Sequence, residues 1–213
     1  PPPAVEDLDN RVTYYSRLIE DYPDYSRPRF LRGLAYYYQK EYDKAMADFQ
    51  AAVERGRDTA NLDLMIGVTW MAKGNYEQAL THLQRQVAAT PDEFQCLRVL
   101  AYFLATCPED EYRDGKKAVE LAEAARKAAK EPPWNVLLSL AVAYAEVGDF
   151  EKAIPLAKQT LDAAPADEKE RLAKVLALLE SKQPYRDTKE SAENDSAQSE
   201  EVDSPSKADD SPN

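Results

Sequence analysis

GLAYYYQKEYDKAMADF, residues 33–49, is echoed by GVTWMAKGNYEQALTHL, residues 67–83. Gly33, Tyr36, Ala45 and Phe49 thus recur 34 positions later as Gly67, Trp70, Ala79 and Leu83. Tyr42-Asp43-Lys44-Ala45 falls on Tyr76-Glu77-Gln78-Ala79 in the same register. A fixed period of this length marks a helical solenoid, in which each unit is one supersecondary element stacked on the next.

The echo extends in both directions. Ala101 follows Gly67 by 34 residues, and Ala141 follows Ala101 by 40. Tyr144, Gly148, Phe150 and Ala153 come after Ala141 as Trp70, Gly74, Tyr76 and Ala79 come after Gly67. The third unit therefore carries about six extra residues, most of them in Thr106–Gly115. Backwards, Tyr15-Ser16-Arg17-Leu18 lies 34 residues before Phe49-Gln50-Ala51-Ala52. The N-terminal stretch reads as the second helix of a unit whose first helix is missing or degenerate. The divisions that follow are a half-repeat over 1–25, units over 26–59, 60–93, 94–133 and 134–165, a capping helix over 166–185, and an acidic, disordered tail over 186–213.

Packing explains the pattern. Each unit is two antiparallel helices joined by a tight turn. Small residues (Gly33, Gly67, Ala101, Ala141) let the first helix approach an alanine of the second (Ala45, Ala79, Ala118, Ala153). Tyr36, Trp70, Leu104 and Tyr144, with Phe49 and Leu83, fill the space between hairpins. Asn75 and Asp149 follow glycines and are placed to cap second helices. Lys40-Glu41 replaces that glycine–cap pair in the first unit, so its turn should be less ideal. Pro155 lies about one turn into a predicted helix, where a mild kink or a distorted first turn is expected. In the last helix Leu172, Val175, Leu176 and Leu179 share one face.

These residues resemble the tetratricopeptide repeat family, at Gly33…Tyr36…Tyr42…Ala45…Phe49…Ala52 and again at Gly67…Trp70…Tyr76…Ala79…Leu83…Pro91. The resemblance spans roughly Asp7 to Leu179. It implies an all-α, right-handed superhelical solenoid of helix-turn-helix repeats with a C-terminal capping helix. Leu104-Ala105-Thr106-Cys107-Pro108, the run from Arg113 to Ala122, and Gln183-Pro184-Tyr185-Arg186 are similar to a bacterial subgroup of the family. Members of that subgroup are mostly described by their repeats and rarely by an activity.

The resemblance also implies that the first helices line a concave face. Carried over position by position, the inner columns are Arg27, Phe30, Leu34 and Tyr37; Asn61, Leu64, Val68 and Met71; Gln95, Arg98, Tyr102 and Ala105; then Asn135, Leu138 and Val142. This is a largely apolar stripe with a polar rim, or in part simply core between hairpins. Chaperone-binding members grip a C-terminal carboxylate with Lys and Asn in these columns. Phe30, Leu34, Met65 and Val99 stand in the corresponding places here, so that clamp is absent.

The remaining chemistry is sparse. The chain of 213 residues has a formal net charge of −12, of which residues 186–213 supply half. That sign opposes nucleic-acid binding. His82 is the one histidine, which excludes a His-rich metal site, and it reads as an ordinary surface or groove residue. Cys96 and Cys107 would lie about 16 Å apart on one helix, too far for a disulfide unless the helix breaks at Pro108. They read as buried structural thiols. No phosphate-binding loop or nucleophile motif occurs. No long apolar run or charged leader is visible. The compartment reads as cytoplasmic or, with a leader removed, periplasmic.

The expected function is a non-enzymatic scaffold without cofactor or metal, holding a peptide or helix of a protein partner in the groove. The alternative is a regulatory part cut from a larger multidomain protein. A serine-rich tail such as 186–213 reads as a solubilising segment or, as the second choice, a docking one.

Overall fold

The computed structural model describes residues 7–55 and 61–187. Among them are ten α-helices and no strand. They are α1 (Leu8–Asp21), α2 (Ser26–Tyr38), α3 (Tyr42–Glu54), α4 (Leu62–Lys73), α5 (Tyr76–Ala89), α6 (Phe94–Thr106), α7 (Gly115–Ala128), α8 (Trp134–Glu146), α9 (Phe150–Ala163) and α10 (Lys169–Glu180). Four hairpins follow one another: α2 with α3, α4 with α5, α6 with α7, and α8 with α9. Helix α1 lies against α2 at one end, and α10 lies against α9 at the other. This is a helical repeat solenoid.

Close approach within each hairpin has a direct cause. A Cβ added at Gly33 would stand 2.6 Å from Cε1 of Phe49 and 3.3 Å from the carbonyl oxygen of Ala45. One added at Gly67 would stand 2.8 Å from Cδ2 of Leu83. The large side chain of the second helix therefore fills the notch left by the glycine of the first. Ala45, Ala79, Ala118 and Ala153 are fully buried, as are Ala101 and Ala141. Three buried threonine hydroxyls are satisfied within their own helices. Thr69, Thr106 and Thr160 donate to the carbonyls of Met65, Tyr102 and Leu156 at 2.6, 2.7 and 2.9 Å.

The turns repeat as well. Gly74 and Gly148 take positive φ, 75° and 80°. The next amide, of Asn75 or Asp149, donates back to Trp70 or Tyr144, each at 2.9 Å. Asn75 and Asp149 then accept from the amides of Gln78 and Lys152, capping α5 and α9. Asp114 caps α7 in the same way, accepting from Lys117 at 2.9 Å. The first unit keeps the turn without its preferred residues. Lys40 adopts φ 62°, Glu41 donates to Tyr36 at 2.9 Å, and Glu41 supplies no side-chain cap. Helix α9 runs unbroken through Pro155.

The extra residues of the third unit form a short 3-10 turn, Asp110–Tyr112, tied by Arg113. Arg113 donates to the carbonyl oxygens of Cys107 and Pro108 at 2.8 and 3.2 Å and to Glu146 at 3.0 Å, and pairs with Asp110. Glu146 takes a second cation, Arg186, at 2.6 Å. Arg186 and Asp187 are thereby part of the folded stack, a correction to a tail beginning at residue 186. The amide of Asp187 donates to Thr106 at 2.8 Å, and Tyr185 is buried in the main core. Gln183–Asp187 is a strap across the C-terminal ends of α8 and α6. The acidic segment expected to be disordered otherwise falls at 188–213, outside the described residues.

Two outcomes follow from this packing. Ala45→Leu and Ala79→Leu should each lower unfolding stability by about 1–3 kcal/mol through overpacking. Unchanged urea midpoints for both would contradict the close approach. Lys40→Gly should raise stability by on the order of 0.5–1 kcal/mol. It removes a left-handed lysine, though the glycine loses more chain entropy on folding. Gly74→Lys should act in the opposite sense, and denaturant melts of the pair check both.

Candidate partner-binding site

The family resemblance implies that the first helices line the inner face. Among them α6 packs on α8 and α2 meets α4. The two halves differ. Helix α6 packs broadly on α8, but α2 meets α4 only narrowly.

That difference decides the fate of the expected groove residues. In the first half, Arg27 is exposed, and Phe30, Asn61, Val68 and Met71 are partly exposed. Leu34, Tyr37 and Leu64 are buried. In the second half, Tyr102, Ala105, Leu138 and Val142 are buried, and Gln95, Arg98 and Asn135 remain partly exposed. The apolar stripe of Leu34, Tyr37, Leu64 and Tyr102 is thus core rather than an open surface. Tyr37 stacks on Tyr38 and Tyr42 with ring centroids 5.7 Å apart in both pairs. Phe30 leans on Phe49 at 5.8 Å and keeps one side outward.

What stays accessible is a polar row at the starts of the first helices. Arg27, Asn61, Gln95 and Asn135 occupy one register, one residue per unit. Arg98 donates from Nε to Oε1 of Gln95 at 3.1 Å. Oδ1 of Asn61 accepts from the thiol of Cys96 at 3.6 Å, and Asn61 holds a left-handed φ of 72°. Oδ1 of Asn135 is buried and has no hydrogen-bond donor among the described residues. Beside this row lie the partly exposed faces of Val68 and Met71.

The titratable groups look structural. His82 Nδ1 lies 2.8 Å from Oδ1 of Asp63, and Arg85 Nε donates to Oδ2 of Asp63 at 2.6 Å. This staples α4 to α5. Burial disfavours the Asp63 carboxylate, but the hydrogen bonds from Arg85 and His82 outweigh it and hold its pKa below the usual range. Cys96 and Cys107 are buried, unbridged thiols, and burial pushes both pKa values up, away from a reactive thiolate. Among the described residues no cluster of His, Cys, Asp or Glu is arranged to hold a metal. No helix among them is long and apolar enough to cross a membrane.

The sequence signal for the polar row was present in its register. The signal for burial was not, because it depends on how tightly neighbouring hairpins close.

Comparisons with known proteins agree with this architecture. Two profiles described as tetratricopeptide repeat match residues 36–101 and 136–172. They support the tetratricopeptide repeat family. No curated protein matches the chain. Among solved structures, one described as the APC/C hetero-tetramer Cut9–Hcn1 superposes with a TM-score of 0.72 at 19% identity, over 83% of this chain and 34% of that one. The chain thus spans about a third of that relative. YrrB, described as a tetratricopeptide repeat protein with an unusual peptide-binding site, gives 0.57 at 20% identity, over 80% and 84%. A tetratricopeptide repeat protein from Parabacteroides merdae gives 0.62 at 18% identity, over 83% and 66%. These likenesses establish the fold.

Asp63 yields a pH-dependent outcome. Its lowered pKa adds stability that is present above the unfolded carboxylate range and lost as pH falls through the folded value. Asp63→Asn should therefore cost on the order of 1 kcal/mol at neutral pH, with the gap to wild type closing below about pH 4. Denaturant midpoints of both proteins against pH read this out, and a gap that widens in acid would contradict it.

Proposed function

We propose that this chain is a non-enzymatic protein-interaction scaffold. It holds a peptide or helix of a partner protein against the inner face of α2, α4 and the start of α6. The polar row carries the reading. Arg27, Asn61, Gln95 and Asn135 repeat at one register beside partly exposed Phe30, Val68 and Met71. Such a row can satisfy the backbone or side-chain polar groups of an extended segment, while the apolar patches take its side chains. The motifs over 104–108 and 113–122 keep the bacterial subgroup as part of the proposal.

A second reading treats these repeats as the regulatory part of a longer protein. It is favoured by the Cut9–Hcn1 comparison, where the matched region is 34% of that chain.

A displayed peptide library selected on the folded protein tests the first reading. Selected peptides should lose about tenfold in affinity, ~1.4 kcal/mol, on Val68→Glu with Met71→Glu. Helicity should be retained. Gln84→Ala on the outward α5 should leave affinity unchanged. Selected peptides indifferent to the inner-face pair would move the binding surface elsewhere.

A further inference from the structure

The strap that follows α10 lies in a seat built by other elements. It leaves the helix at Lys182, which takes a left-handed φ of 56°, and crosses Gln183–Asp187 without regular secondary structure. Pro184 keeps the residue before it extended and needs no amide partner of its own. The next residues anchor the segment. Tyr185 is buried in the main core. Arg186 pairs with Glu146, the last residue of α8, at 2.6 Å, and donates Nη1 to the carbonyl oxygen of Ala105 at 3.4 Å. The Asp187 amide donates to the carbonyl oxygen of Thr106 at 2.8 Å. Ala105 and Thr106 close α6, so these are carbonyls that the helix leaves unpaired. The seat therefore offers a segment an apolar place for a ring, a carboxylate and the end carbonyls of α6.

The contacts that build this seat do not run through the strap. Helix α6 packs on α8, and α10 rests on α9 and ends before the strap begins. The extended turn is fixed by the Asp114 amide on the carbonyl oxygen of Leu104 at 3.0 Å and by Arg113 on Cys107 and Pro108. Glu146 keeps Arg113 at 3.0 Å when Arg186 leaves, so release of the strap strands no buried carboxylate. Release does leave the end carbonyls of α6 without these donors, and an incoming segment must replace them. A left-handed lysine at the root of the strap is a disfavoured conformation, which release frees to relax.

We propose that the strap is an autoinhibitory contact: it occupies a binding seat, at the ends of α6 and α8, for an extended segment of a partner protein in which an aromatic residue is followed by an arginine. The strap itself displays the chemistry that the seat selects. A ring enters the core, a guanidinium pairs with Glu146, and the following amide meets Thr106. A partner segment binds by displacing the strap, because both claim the same groups. Its apparent affinity is then reduced by the fraction of chains whose seat is open. The seat is at the opposite end of α6 from Gln95 and the polar row, so this inference and the inner-face reading stand or fall separately.

The test uses the full chain and an amidated peptide of residues 181–187, labelled at its N-terminus and followed by fluorescence anisotropy. Tyr185→Ser with Arg186→Ser disables the strap in place. That variant should bind the peptide saturably. The wild-type chain should bind it about tenfold more weakly, as expected where its own strap closes the seat about nine-tenths of the time. A peptide carrying Arg186→Glu should bind neither protein. Bound peptide should also slow hydrogen exchange over 104–115 in the double variant. Equal affinity for wild type and double variant would place the peptide elsewhere and overturn the proposal. So would the absence of saturable binding to a double variant that keeps its helicity. Should the double variant lose helicity, Arg186→Ala, which leaves the ring of Tyr185 and the Arg113–Glu146 pair in place, carries the test. Peptide affinity no higher than wild type there, or loss of helicity there too, would make the strap an obligate part of the fold and overturn the proposal.

Discussion

The stack rests on one contact repeated along the chain: a large side chain of a second helix seated in the glycine notch of the first. At Gly33 there is no room for a Cβ beside Phe49, and at Gly67 none beside Leu83. The contact draws the axes of each hairpin together and leaves its remaining apolar side chains facing the next hairpin. A single hairpin cannot bury them, so the units must stack. In the third and fourth units alanines at 101 and 141 replace the glycines. There Phe103, Leu140, Val136 and Val142 are almost completely buried, and α6 and α8 pack directly.

This gradient along the stack shapes where a partner could sit. The second half is closed twice: by broad α6–α8 packing and by the strap that returns from α10. Glu146 joins the two closures, since it holds Arg113 of the extended turn and Arg186 of the strap. Gly115 adds to the tight junction, because a Cβ there would stand 2.9 Å from Cγ of Glu146. The first half has no such strap among the described residues. Its inner face keeps Arg27, Phe30, Val68 and Met71 at least partly exposed, and its outer corner keeps Tyr22 and Tyr25. The two most exposed large apolar side chains, Tyr22 and Tyr25, thus sit at the N-terminal end.

Much of the architecture was legible in the residues. Spacing gave the hairpins, and the small residues marked the close approaches. Asn75 and Asp149 announced their caps, and Lys40-Glu41 announced a poorer turn, which the structure shows as a left-handed lysine without a side-chain cap. Two things were hidden for physical reasons. Register tells which way Leu34, Tyr37, Leu64 and Tyr102 point on a helix, but burial depends on the distance to the next element, which no local pattern encodes. The strap joins Asp187 to Thr106 and Arg186 to Ala105, contacts between residues some eighty positions apart. Charge composition put Arg186 and Asp187 with the acidic tail, while their long-range bonds put them with the fold.

The unequal closure of the two halves is the claim on which the placement of the inner-face site turns. Native-state hydrogen exchange read by mass spectrometry measures it directly, because amides in tightly packed elements open least often. The slowest exchange should fall in α6 and α8. Helices α2 and α4 should exchange faster, and deleting residues from Gln183 onward should speed exchange around 104–115 while leaving α2 and α3 unchanged. Uniform protection along the stack, or slowest exchange in α2 and α4, would contradict it.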